Sequence, residues 1–179
     1  WKNRNPKSMG ALLDAAVFPG IQGGPLEHVI GAKAVAFNEA MSTQYSDYMK
    51  RVKSKAKIMS ELLIEKGYDI ISGGTDNHCM LIDLRSKNIN GKDAEEILGK
   101  VDITVNKNMV PFDTESPFVT SGIRIGTAAI TSRGIHSEMI PQIVSMIDRS
   151  LMNSTNEKSL SDIKSEIHET MSPLPLFQW

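Results

Sequence analysis

Between Leu26 and about Lys66, apolar side chains recur at helical intervals, with Met41, Tyr45, Tyr48, Val52, Ala56, Met59 and Leu63 among them. Only Gly31 interrupts the good helix formers. The pattern predicts one or two long helices. Beyond Gly67 the period becomes strand-like: Tyr68-Asp69-Ile70-Ile71-Ser72, a Gly73-Gly74 turn, then Cys79-Met80-Leu81-Ile82-Asp83-Leu84. A helix is predicted from about Lys92 to Lys100, with Asn90 or Gly91 near its cap. Strands are predicted around Ile103 to Val105 and at Ile123 to Gly126, separated by a long polar loop. Two helices close the chain, Ser137 to Met152 and Ser159 to Met171, the second ended by Pro173 and Pro175. By contrast, Pro6, Gly10, Pro19, Gly20, Gly23, Gly24 and Pro25 crowd the first 25 residues, which suits loops and short turns. A few strands followed by covering helices describe a small α+β layer domain, tied to something else by its N-terminal helix.

Composition narrows the chemistry. With 20 Lys plus Arg against 21 Asp plus Glu, the overall field makes no case for nucleic acid or an anionic membrane as partner. The lysine-rich run Lys50, Arg51, Lys53, Lys55, Lys57 lies on the polar side of its helical pattern and reads as a solvated face. Cys79 is the only cysteine, so an internal disulfide and a cysteine-based zinc site are excluded, and a reducing, cytoplasmic address is expected. No apolar run approaches the roughly 20 residues that span a bilayer. His28, His78, His136 and His168 show no paired-ligand spacing, so no metal site is expected. His78 and Cys79 are neighbours on a predicted strand and would face opposite ways. The ten methionines read as core filler. The opening Trp1-Lys2-Asn3-Arg4-Asn5-Pro6-Lys7 is polar and turn-prone and has no initiator methionine, which points to a piece of a longer chain.

Three segments carry candidate chemistry. In Ser121-Gly122-Ile123-Arg124-Ile125-Gly126-Thr127, strand alternation turns Ile123 and Ile125 to a core and Arg124 to the other face, uncrowded by its glycine neighbours. Such a guanidinium grips a carboxylate through two parallel hydrogen bonds; the alternative is an arginine on a solvated sheet face. Phe18-Pro19-Gly20-Ile21-Gln22-Gly23-Gly24-Pro25-Leu26 runs into a helix, with Pro25 suited to the first helical position. It reads either as a phosphate-accepting backbone or as a tight turn, and it has neither the P-loop nor the dinucleotide spacing. The loop from Asn106 to Phe118 holds amides, two prolines and two phenylalanines. These groups would suit a flat heterocycle, unless the rings simply plug the core. Lys107, between two asparagines, reads as a solvated loop lysine rather than a cofactor-anchoring one.

Four stretches in register resemble serine hydroxymethyltransferase: Phe18 to His28, Ser72-Gly73-Gly74-Thr75-Asp76-Asn77-His78, Thr104-Val105-Asn106-Lys107-Asn108, and Ser116 to Thr127. The resemblance covers essentially the whole chain and corresponds to the C-terminal part, less than half, of that enzyme. It implies an α/β fold, the C-terminal part of a PLP-dependent transferase of the aspartate-aminotransferase fold type. Residues 1–55 would be the end of the large cofactor domain with its linking helix, and 56–179 the small α+β domain. It further implies a homodimer or dimer of dimers that interconverts serine and glycine with tetrahydrofolate in one-carbon metabolism. By resemblance Arg124 holds the substrate carboxylate, and Gly23 and Gly24 contribute to the pyridoxal 5'-phosphate site of the partner subunit. Asn108, Ser116, Pro117 and Phe118 line the folate pocket. The family's cofactor-anchoring Thr-His-Lys-Thr segment does not occur in this sequence, so the chain alone is expected to be inactive, with no catalytic residue of its own. Ala128 stands where the family usually has proline, which should loosen the turn after the arginine strand. A PLP-dependent aldolase is the nearest competing reading, disfavoured by the Asn108 and Ser116–Phe118 loop, and a non-enzymatic module that binds a full-length partner is a more distant one.

Overall fold

The structure, a computed structural model, describes residues 8–175. The turn-prone opening Trp1–Lys7 lies outside them. The chain divides into two compact units between Tyr45 and Ser46, upstream of the boundary at residue 55 that the resemblance implies.

The first unit holds α1 (Met9–Val17) and α2 (Glu27–Ala40). The breaker-rich start therefore contains a helix where loops were expected. Gly10 sits in its first turn, where helical hydrogen bonding asks least of it, and the side chain of Ser8 caps the helix by accepting from the Ala11 amide at 3.2 Å. A sharp turn follows, and an added Cβ on Gly20 would lie 2.3 Å from the Ala16 carbonyl oxygen, so only glycine fits there. Pro25 stands outside α2, whose N-cap is Leu26. Neither helix has a buried residue.

The second unit is built on α3 (Thr43–Glu65) from Ser46 onward and a four-stranded antiparallel sheet. Val52, Ala56, Met59 and Leu63 are buried on α3 as its periodicity predicts, whereas Met41 and Tyr45 from the same pattern are exposed. Gly67, at φ 79, takes the left-handed conformation just past the helix end. The strands β1 (Asp69–Ile70), β2 (Cys79–Asp83), β3 (Asn106–Asn108) and β4 (Gly122–Gly126) lie in the order β1-β2-β4-β3. Helix α4 (Gly91–Lys100) carries the chain from β2 over β4 to the far edge at β3, a split β-α-β arrangement that puts the arginine strand in the middle. Asn90 caps α4 by accepting from the Asp93 amide at 2.8 Å.

Met80, Ile82, Ile123 and Ile125 point from the sheet into a core shared with Met59 and Leu63 of α3, Leu98 of α4 and Ile147 of α6 (Ile140–Met152). Each fully buried side chain of this size contributes about 1.5–3 kcal/mol. A second cluster joins Met146 to Leu160, Ile163 and Ile167 of α7 (Glu157–Met171). Ile103 and Val105, predicted as a strand, instead pack half-buried on the core in the approach to β3. The short helix α5 (Ala128–Ser132) was not apparent from periodicity because it spans little more than one turn. It begins at Ala128, a first-turn position that suits proline equally well. The turn is nevertheless tied down: Thr127 donates to the Val52 carbonyl at 2.9 Å, and the Tyr48 hydroxyl bonds both the Ala128 carbonyl and Ser132.

Two lysines depart from expectation. Lys55 is 4% exposed instead of lying on a solvated face, because α3 turns that side toward the protein. Burial, and after it the charge of Arg51, lower its pKa. Lys107 is in β3 rather than a solvated loop, half-buried and ion-paired to Glu95 at 3.2 Å. Methionine is not uniformly core filler either, since Met9, Met41, Met109 and Met152 are exposed. His78 precedes β2 and its carbonyl accepts from the Thr127 amide at 3.0 Å.

Candidate functional site

Alternation along β4 buries Ile123 and Ile125 and leaves Arg124 exposed on the opposite face. The ladder places Leu81 of β2 on one side of it and Asn106 of β3 on the other. Asn106 accepts from Arg124 Nε at 3.2 Å. Among the described residues Arg124 forms no ion pair, and its two Nη groups have no hydrogen-bond partner. The guanidinium is thus steadied through Nε and keeps the end-on fork that matches a carboxylate.

Arg124 borders a cleft of about 570 Å³ whose wall is the turn from Ser72 to Asn77. That turn is braced from within: Thr75 donates to the Cys79 carbonyl at 2.6 Å, and the Asn77 side chain accepts from the Cys79 amide at 2.9 Å. The cleft therefore brings together two stretches separated by nearly fifty positions in the chain, Ser72 to Asn77 and Arg124. The cross-strand partnership with Asn106 was not legible in advance, because register is decided by tertiary pairing. Its only signal was an amide at the start of the long loop, just after a predicted strand.

Asn106 and Asn108 alternate onto the same sheet face as Arg124, and Asn108 pairs with Gly122. The Asn108 amide nitrogen donates to the Met109 carbonyl at 2.7 Å. An added Cβ on Gly122 would lie 2.5 Å from the Ile82 carbonyl oxygen and 2.6 Å from Val110, so the strand can approach its neighbours only as glycine. The loop between β3 and β4 carries Ser116, Pro117 and Phe118, all exposed. Its rings do not plug the core: Phe112 is 96% and Phe118 84% exposed. The loop holds its shape through polar contacts. Asp113 accepts from the Val110, Glu115 and Ser121 amides at 3.1, 3.0 and 2.9 Å and from the Ser121 hydroxyl at 2.6 Å. That hydroxyl first, and then the amides, hold the carboxyl well below the usual carboxylate range.

Gly23 and Gly24 belong to the first unit. A Cβ built on either meets nothing within 4 Å, and α2, which starts just beyond them, has no side-chain cap. Open backbone leading into uncapped helical amides fits a phosphate approached from outside the chain. Among the described residues no three His, Cys, Asp or Glu side chains gather as a metal site, and no helix is long and apolar enough to cross a membrane.

The architecture is that of an α+β protein in which an inner strand of the sheet offers one arginine to a cleft. A family model described as serine hydroxymethyltransferase matches residues 2–147. The chain belongs to that family, and membership implies a PLP-dependent transferase that uses tetrahydrofolate.

Proposed function

We propose that this chain is the C-terminal part of a serine hydroxymethyltransferase, in which it supplies the substrate-carboxylate and folate contacts. The observation that carries the reading is the Arg124 fork, held by Asn106 and left free at the edge of the Ser72–Asn77 cleft. Arg124 binds the α-carboxylate of serine or glycine end-on and so fixes the orientation of the bonds at the α-carbon. Asn108 and the exposed Phe118 receive the folate, the amide pairing with its heterocycle edge and the ring stacking on its face. Pyridoxal phosphate, when bound, supplies the electron sink for the reaction. Gly23 and Gly24 offer backbone amides to its phosphate in the partner subunit of a dimer. The apolar exposure of α1 and α2, with Leu12, Leu13, Val29, Ile30, Val35 and Phe37 open, supports such an assembly. Because no Thr-His-Lys segment occurs in the 179 residues, the chain by itself turns over no substrate.

Phe118→Ala in the complete enzyme tests the folate assignment. Loss of one stacking ring is worth about 0.5–1.5 kcal/mol, so tetrahydrofolate affinity falls about two- to tenfold, while glycine affinity, read from cofactor absorbance, holds steady. Unchanged folate affinity would remove Phe118 from the pocket.

A further inference from the structure

The loop from Met109 to Ser121 presents a physical contradiction: two phenylalanines stand almost wholly in solvent, yet the segment that carries them is tightly fastened. Nothing apolar fastens the tip. The buried Val110 anchors one end, Thr120 and Ser121 are buried at the other, and Asp113 is the side chain that bridges the two ends. Asp113 Oδ2 accepts from the Val110 and Ser121 amides, drawing the two ends of the loop together. Its Oδ1 accepts from the Glu115 amide and the Ser121 hydroxyl, setting the turn that leads into Ser116. Beyond it, the Ser116 carbonyl accepts from the Val119 and Thr120 amides at 3.0 and 2.9 Å, and the Lys92 and Gly91 amides of α4 donate to the Val119 and Thr120 carbonyls, both at 2.9 Å, so the Ser116–Phe118 tip is held by Asp113 on its leading side and by α4 on its trailing side. The residues that flank the clamp, Phe112 and Thr120, adopt left-handed backbone at φ 56 and 61. A non-glycine residue keeps that conformation only where surrounding bonds impose it.

We infer that Asp113 is a positioning residue for folate: it touches no substrate, and it holds the Ser116–Phe118 tip in the ligand-ready conformation before the ligand arrives. The inference rests on the folate reading given above and adds a residue and a role to it. Its physical basis is pre-organisation. A loop fastened in advance spares the ligand the entropy of ordering it. An asparagine at 113 has the size but not the acceptors, because one oxygen becomes an NH2 group aimed at two donors.

The test is Asp113→Asn in the complete enzyme, with three readings: hydrogen exchange across 109–121, tetrahydrofolate affinity by calorimetry, and glycine affinity by cofactor absorbance. Exchange at the Val110, Glu115 and Ser121 amides accelerates. If the fastened loop falls to about a tenth of the population, folate affinity falls about tenfold. Glycine affinity stays within about twofold, as expected for an independent site. Ser121→Ala, which removes one hydroxyl donor and leaves every amide in place, gives a smaller change of the same kind and serves where Asp113→Asn does not fold. Unaltered exchange overturns the clamp, and folate and glycine affinities falling together reduce it to a general structural role. Faster exchange with folate affinity intact overturns the positioning role. In that case Phe118→Ala distinguishes the causes: if it too leaves folate affinity intact, the folate assignment of the loop fails as well.

Discussion

Replacing Arg124 by lysine keeps the charge and removes the fork. Arg124 Nε is already committed to Asn106 at 3.2 Å, which leaves the two Nη groups for the carboxylate. A lysine ammonium at this position cannot bond Asn106 and also present two parallel donors in a fixed plane. The loss is about one charge-assisted hydrogen bond, of the order of 1.5–3 kcal/mol, and the exposure of Arg124 on its sheet face places the expected value in the lower half of that range. Taken as about 1.5–2 kcal/mol, this is roughly a 10- to 30-fold rise in the dissociation constant for glycine. The assay is titration of the complete enzyme with glycine, followed through cofactor absorbance, beside a denaturant unfolding curve. The curve is expected to be unmoved, since Arg124 contributes nothing to the core formed by Ile123 and Ile125. Tetrahydrofolate affinity is expected to be little changed. Glycine binding within about twofold of the unsubstituted enzyme would refute the carboxylate role, since one lost bond is worth several times that.

Two further predictions concern stability. Gly91→Ala, at the start of α4, puts a Cβ 2.0 Å from Thr120 Oγ1 and 2.4 Å from the Gly122 carbonyl oxygen. Helix propensity favours alanine by about 1 kcal/mol, but overpacking against a backbone oxygen costs more, so net destabilisation of about 1–3 kcal/mol is expected; a denaturant midpoint that stays or rises would show that α4 can retreat. Lys55→Met should stabilise the protein near neutral pH, because burial and Arg51 make the ammonium unfavourable there. The folded-state pKa is lowered from the usual value of about 10.4, so the unfolded chain holds more protons at alkaline pH and the lysine protein gains stability as pH rises. The advantage of methionine therefore shrinks toward pH 10; an advantage that is absent at neutral pH, or that grows with pH, would contradict the burial argument.

Local pattern carried much of the fold. The apolar and polar faces of β4, the buried stripe from Val52 to Leu63, the Asn90 cap and the turn at Gly67 all follow from properties of neighbouring residues, so they can be read in order along the chain. The motifs from Phe18 to His28 and from Ser116 to Thr127 carried the family in the same way. Readings failed where a residue's surroundings come from elsewhere. Lys55 looked solvated because its sequence neighbours are charged, and it is buried because α3 lies against the remainder of the unit. Lys107 looked like a loop lysine until strand pairing and α4 brought Glu95 within 3.2 Å. The two phenylalanines of the long loop were as consistent with a core as with a ligand, and only their exposure in the fold removes the core reading.

By itself the sequence determined the longer helices, strands β2 and β4 and the family, because helical and strand periods and short motifs are properties of adjacent residues. The tertiary structure alone decided which polar groups meet: Arg124 with Asn106 across a strand register, the Ser72–Asn77 turn as the wall of its cleft, and Asp113 with both ends of its loop. The reason is that hydrogen bonds between residues distant in the chain depend on how the backbone is paired and folded back, and a one-residue slip of β3 against β4 would turn Asn106 away from Arg124.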